Sequence, residues 1–430
     1  MQPAAAGAVE HIVIINSTHA APLHVADVLS HLDLHTHHAD VRYIFNNSAF
    51  EGFAATIHPH HLARLANLST AIALVEPATH IHKSNPIPQT SYHHRKRQVS
   101  LTYETRSNAP WGLQRISTIA TSSLPITDDN ESALAYTYSF DAPSLGRGAD
   151  IYIVDTGIYT EHTAFSPPGR AQMVWSYDGN FTDLDGHGTH VSGTAAGQVL
   201  GVASDARLFG VKVLDSEGGG SSSNVVAGIN YVIQAHDAAK RNASGAFLGS
   251  VMSMSLDSGA PVQALNLAVT AAVKAGIHTV VAAGNSAEEA CSSSPASAGG
   301  DAGPAITVGA IGLDSVRASF SNFGACVDVY APGINVTSAW IGNPWMIKVL
   351  DGTSMATPHV TGIVAYALAQ DAELAADPAK MKEFVRGSAG NSSTGLRVAS
   401  NGVRIEAAQG LVGLERIGEG TKFVWVEGEG

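Results

Sequence analysis

A chain of 430 residues, 45% apolar and only 14% charged, is long enough to bury at least one large core, and its length suggests two or three domains. Its net charge is −13, and with no basic stripe to displace phosphate counterions it is not expected to bind nucleic acid. No run reaches the roughly 18 to 20 consecutive apolar residues of a spanning helix, so no membrane partner is expected.

The opening residues 1–7 lack a basic stretch followed by an apolar one, so no secretory leader is read here. Residues 1–82 read as a small independent unit. An apolar strand at 10–15 (EHIVII) precedes Val25, Val28, Leu29 and Leu32, which fall on one helical face. Residues 41–45 form a second strand, and Phe53, Ala55 and Ile57 alternate as a third. Pro59 opens a second helix with Leu62, Leu65 and Ala66 on one side, and 72–76 (IALVE) closes the set. The order β-α-β-β-α-β predicts an α+β, ferredoxin-like split sandwich.

Residues 83–103 lose all periodicity and carry Pro86, Pro88 and the basic triplet Arg95, Lys96 and Arg97, the composition of an exposed linker and processing region. From 104 to 370, strand-like runs at 150–154, 208–213, 251–254, 278–282 and 306–308 alternate with helix-like runs such as 224–234 and 261–274. That alternation predicts an α/β domain with a doubly wound parallel sheet. Residues 371–430 are expected to hold one helix near 378–385 and a weakly patterned tail.

Fourteen of the twenty histidines lie within the first 94 residues. Their spacings match no compact metal site, and two readings stand: ordinary polar surface, or groups that charge near pH 6 and alter how this unit binds the rest. Asn-x-Ser/Thr sequons at Asn16, Asn46, Asn67, Asn130, Asn180, Asn242, Asn335 and Asn391 favour export, as do two cysteines, Cys291 and Cys326, that could pair in an oxidising compartment.

In an open α/β sheet, reactive residues collect where strands end and helices begin. Asp155 follows an apolar strand in IVDTG. His187 lies in DGHGTHVSGTAAG and Ser354 in DGTSMATPHVTG, both glycine turns running into helices. Together they supply a hydroxyl nucleophile, an imidazole base and an orienting carboxylate. Residue type alone leaves His190 and His359 as rival bases.

IVDTGI, GHGTHVSG and GTSMATPHVTG, in that order, resemble the three catalytic blocks of the subtilisin-like serine proteases. NAPWGLQRIS, VVAAGN and SFSNFGACVDVYAPG resemble the proteinase K and cerevisin branch, and IFNNSAFEGFAATI with ALVEP is similar to the family's inhibitor prosegments. The resemblance implies the precursor of a secreted or vacuolar serine endopeptidase, acting as a monomer on protein and peptide substrates. Its own prosegment would be an intramolecular inhibitor, with a junction near Glu104 that the enzyme cuts itself. Processing after Arg97 is the alternative junction, and a non-catalytic binding protein on the same fold is the alternative function.

The same resemblance assigns Asp155 as the orienting carboxylate, His187 as base, Ser354 as nucleophile and Asn285 as a side-chain donor to the oxyanion; His190 and His359 then become packed, structural histidines. Ser255 and Leu256 would form one wall of the specificity pocket, Ala283 and Gly284 the other, and Gly218, Gly219 and Gly220 the strand that pairs with substrate. Asp257 and Ser258 stand where the family usually has glycine, and Asp257 could face a basic side chain or solvent. A Cys291–Cys326 disulfide is implied. No cofactor is required for the chemistry. Asp328 resembles a calcium carboxylate whose backbone partners would lie around Gly303 and Ala305.

Overall fold

A computed structural model describes residues 8–19, 22–84, 104–117, 134–140, 145–242 and 246–403. The basic triplet, His93, His94, Asn130 and the tail beyond 403 lie outside the described residues.

The N-terminal unit follows the expected order: β1 (Val9–Ile15), α1 (Val25–His31), β2 (Val41–Asn46), β3 (Glu51–Ile57), α2 (Pro59–Ala66) and β4 (Ile72–Pro77). Its strands form an antiparallel sheet ordered β2-β3-β1-β4. Successive side chains on a strand point to opposite faces, and β1 uses both. Val13 and Ile15 pack with Val28, Leu29, Leu32 and Phe53 beneath the unit's own helices. Ile12 and Ile14, with Phe45 and Ala54, join the core of the large domain instead. A further strand, β5 (His80–Lys83), leaves this sheet for the large domain.

That domain opens with β6 (Glu104–Ala109), α3 (Trp111–Ile116) and β7 (Tyr136–Phe140). There follow β8 (Ala149–Asp155), β9 (Ala171–Ser176), α4 (His187–Ala196), β10 (Arg207–Lys212), β11 (Gly219–Ser221) and α5 (Ser222–Arg241). Next come β12 (Gly249–Met254), β13 (Leu256–Asp257), α6 (Gln263–Lys274), β14 (His278–Ala282), β15 (Ile306–Ile311), β16 (Val329–Pro332), β17 (Val336–Ala339) and β18 (Ile347–Leu350). The chain closes with α7 (Thr353–Leu368), α8 (Ala372–Ala376), α9 (Pro378–Ser388), β19 (Gly390–Asn391) and β20 (Arg397–Val398).

The main sheet runs β19-β20-β16-β15-β14-β12-β8-β10-β9. Every pair in it is parallel except β19 with β20. Helices α4 and α7 cover one face and α5 and α6 the other, the doubly wound arrangement that the alternating pattern predicts. From β8 the chain moves outward on one side to β10 and β9, then returns to add β12 on the other. Asp155 ends β8 at that reversal, the place where such sheets open a crevice.

Two expectations need correction. Residues after 371 are more than one helix and a tail: α8 was not anticipated, Met381 and Val385 of α9 are buried in the main core, and Val398 adds to the sheet beside Tyr330. Lys83, read as linker, is the last residue of β5.

Candidate active site

Asp155 is fully buried, and its carboxylate contacts His187 Nδ1 at 2.8 and 3.0 Å. Its Oδ1 also accepts the Thr156 amide at 2.7 Å. An acceptor-only carboxylate places the imidazole proton on Nδ1 and leaves Nε2 as the basic nitrogen. His187 Nε2 is buried and has no hydrogen-bond partner among the described residues.

Asp183, which the sequence did not single out, holds the loops carrying Asp155 and His187 together. Its carboxylate accepts from Thr156 Oγ1 on the Asp155 side, and from the Asp185, Gly186 and Thr189 amides and Thr189 Oγ1 on the His187 side. The only signal for it was an acid four residues before His187, in a stretch crowded with acids.

The other two histidines are structural. His190 Nε2 lies 3.1 Å from both the Val336 and Lys348 carbonyls, and burial pushes its pKa down to about 3. His359 Nδ1 bonds the Met355 carbonyl at 2.9 Å, and burial pushes it down to about 4. Each ring is anchored to a backbone carbonyl, and unlike His187 neither has a carboxylate beside it, among the described residues, to orient it and hold an imidazolium.

Ser354 stands in the first turn of α7, a helix whose sixteen residues are all buried. Pro358 has no N–H to give the Ser354 carbonyl four residues back. Ser255 Oγ supplies the missing donor at 3.0 Å, so this residue, expected in the pocket wall, also anchors the backbone of Ser354. Ser354 Oγ itself donates toward the Ser84 and Ser255 carbonyls, each at 3.1 Å. Asn285 Oδ1 accepts from the Thr353 amide at 2.9 Å and from Thr353 Oγ1 at 2.8 Å. Only an oxygen can accept an amide N–H, which fixes the amide's orientation with its NH₂ on the far side.

The expected specificity walls meet this centre. Gly284 N donates to Thr353 Oγ1 at 3.2 Å, and its φ of +101° suits glycine. Ala283 is fully buried, and its carbonyl accepts Asn322 Nδ2 at 2.9 Å. Asp257 does not face solvent: it is 5% exposed and accepts the Gly259 amide at 3.1 Å.

Between β11 and β13 lies β5. It pairs antiparallel with β11, Gly219 opposite His82 and Gly220 opposite Ile81, and with β13, Leu256 opposite Lys83. Lys83 N donates to the Gly218 carbonyl at 2.8 Å. A polar segment without apolar periodicity becomes a strand here because two edges offer it unpaired backbone groups. The N-terminal unit docks behind it. Glu76 Oε1 and Oε2 accept the Gln263 and Ala264 amides, at 3.1 and 2.8 Å, at a helix start whose own N-cap, Val262, offers no side-chain acceptor. Asn230 Oδ1 accepts the Asn46 amide at 3.0 Å and Asn47 Nδ2 at 2.9 Å. Of the front histidines, His80 and His82 lie on β5, while His35, His37 and His60 are exposed on the outer unit.

Cys291 and Cys326 are bridged with 5.3 Å between Cα atoms and a sequence separation of 35. Closing a loop of that size contributes about 4 kcal/mol in the chain-entropy account.

The residues around Asp328 do not fit calcium as arranged. Lys382 Nζ, from α9, donates to the carbonyls of Gly300, Gly303 and Ala305 at 2.6, 2.7 and 2.7 Å, and lies 3.1 Å from Asp328 Oδ1. An ammonium ion thus already holds the oxygens that a calcium ion, wanting six to eight, would need. Lys382→Met should cost about 3 kcal/mol, the low end for breaking a buried pair, because Arg386 at 3.8 Å and the Gly300 and Thr307 amides still face the Asp328 carboxylate. A urea unfolding midpoint unchanged by the substitution would refute this.

A model of the Subtilase family matches residues 146–410. The chain belongs to the subtilase family. This subtilase is 43% identical over 313 residues to the subtilisin-like serine protease pepC of Aspergillus niger, covering 69% of the chain and 56% of that relative. It is 48% identical over 265 residues to subtilisin-like protease 2 of Pseudogymnoascus destructans, covering 61% and 59%. The chain thus spans little more than half the length of these curated relatives. Among solved structures it resembles a cold-adapted subtilisin-like serine proteinase, with TM-score 0.56 and 35% identity, over 68% of this chain and 97% of that one.

Proposed function

We propose that this subtilase is the precursor of a serine endopeptidase whose residues up to Ser84 form an inhibitory prosegment, lying in the cleft as the acyl-side product of its own cleavage at Ser84–Asn85. The observation that carries this reading is Ser354 Oγ, 3.1 Å from the Ser84 carbonyl oxygen at the end of a strand paired on both sides. The junction at Ser84–Asn85 differs from the two expected from the sequence, near Glu104 or after Arg97.

The chemistry follows from the residues around that carbonyl. The Ser354 hydroxyl turns from the Ser84 and Ser255 carbonyls toward His187 Nε2, which takes its proton as Oγ bonds the carbonyl carbon. Asp155 holds the imidazolium that forms. The oxyanion receives the Ser354 amide and the Asn285 NH₂; losing such a side-chain donor costs roughly 3 to 4 kcal/mol in a subtilisin. His187 then protonates the leaving amine, and water, deprotonated by the same imidazole, hydrolyses the acyl-enzyme. Protein and peptide substrates would enter as β5 does, as a strand between β11 and β13.

The cleaved prosegment stays because Glu76 caps α6 and its apolar sheet face is buried against α5 and α6. The Cys291–Cys326 bridge supports an oxidising location, extracellular or vacuolar. A fluorophosphonate probe should attach to Ser354 of the processed chain and not to the Ser354→Ala chain; a processed chain that resists the probe would remove the assignment.

A further inference from the structure

The residue next to the scissile position is a lysine, and the cleft is built to hold it. Lys83 Nζ is paired with the Asp185 carboxylate, the two side chains being 16% and 8% exposed. Asp185 does not swing to meet it: its other oxygen accepts the His187 amide at 3.0 Å, and its own amide is fixed by Asp183. The aliphatic stem of Lys83 lies along Gly218, whose φ is +78° and where any Cβ would collide with that stem. A channel floored by bare backbone and ended by a fixed carboxylate suits a long cationic side chain. The other positions of the strand show no such charge pairing: Ile81 is fully buried among apolar side chains, and Ser84 is small and buried.

From this we infer that Asp185 sets a substrate preference for lysine or arginine at the second residue on the acyl side of the scissile bond. The inference rests on the endopeptidase reading and narrows it to a substrate class. A neutral side chain there leaves the carboxylate without its cation, and an acidic one opposes it, so discrimination comes from repulsion as well as attraction.

The test uses the processed enzyme and peptides differing only at that position, Lys, Ala or Glu. The Lys peptide should have kcat/KM about tenfold above Ala, with Glu lower still, the worth of one modest charge pair. Raising salt should shrink the ratio, and Asp185→Asn should bring Lys and Ala within about twofold of each other, since its carbonyl can still accept the His187 amide while the charge is gone. Asp185→Lys, as a second variant, should favour Glu over Lys. Equal wild-type rates on all three peptides would overturn the inference and leave the endopeptidase reading intact. No hydrolysis of any peptide would instead sink that reading.

Discussion

Asp155→Asn is expected to lower the first-order rate of self-cleavage, and kcat on peptides, by about four orders of magnitude with little change in melting temperature. The loss follows from tautomer control. The Thr156 amide donates to Asp155 Oδ1 at 2.7 Å, so an asparagine would turn its oxygen toward that donor and its NH₂ toward His187. Nδ1 must then accept, the ring proton moves to Nε2, and the nitrogen that should deprotonate Ser354 no longer can. Shape and volume are preserved, which is why the fold should survive. A variant cleaving within tenfold of wild type would mean that the His187–Asp155 pair does not control the reaction.

The second large effect is acid destabilisation of the body. Burial pushes His190 down to about 3 and His236, His278 and His359 down to about 4, from an ordinary value near 6.5. Below about pH 6.5 the unfolded chain takes up protons that the folded chain refuses. Stability is therefore full above that pH and falls as pH drops toward 4. Each histidine contributes a slope of ~1.4 kcal/mol per pH unit in the window, so the four together shift stability by ~5.5 kcal/mol for each pH unit. That is a large part of the stability of an ordinary domain. Urea midpoints of the uncut Ser354→Ala chain from pH 8 to 5 should show it, and His278→Gln should remove about one quarter of the slope. A flat profile would show that these rings are neutral in both states or charged in both.

Local pattern carried much of this. The N-terminal sandwich was legible because Val25, Val28, Leu29 and Leu32 repeat at helical spacing and Pro59 marks a helix start. The residues proposed as catalytic could be picked out because the strings around Asp155, His187 and Ser354 are specific, and the structure brings Asp155 and His187 together. What was not legible depends on partners distant in the chain. Ile12 and Ile14 make β1 apolar on both faces only because α5 and α6 cover one of them. The segment His80–Lys83 has no strand pattern of its own and is ordered by β11 and β13. Nothing in the sequence near Ser84 suggests a cleavage residue; the proposal for it comes only from the Ser354 hydroxyl beside its carbonyl. Lys382 reads as an ordinary helix-surface lysine until the carbonyls of Gly300, Gly303 and Ala305 are found around it. Asp183 likewise gains its function from donors on two separate loops.

The central claim is that Ser354 cuts the bond its own prosegment presents. Its most direct test is the intact mass of the N-terminal fragment released when the purified full chain matures at high dilution. The account predicts a fragment ending at Ser84, formed at a rate independent of protein concentration, and none from the Ser354→Ala chain. A fragment ending at Arg97 or Tyr103, or one that the Ser354→Ala chain also releases, would contradict it.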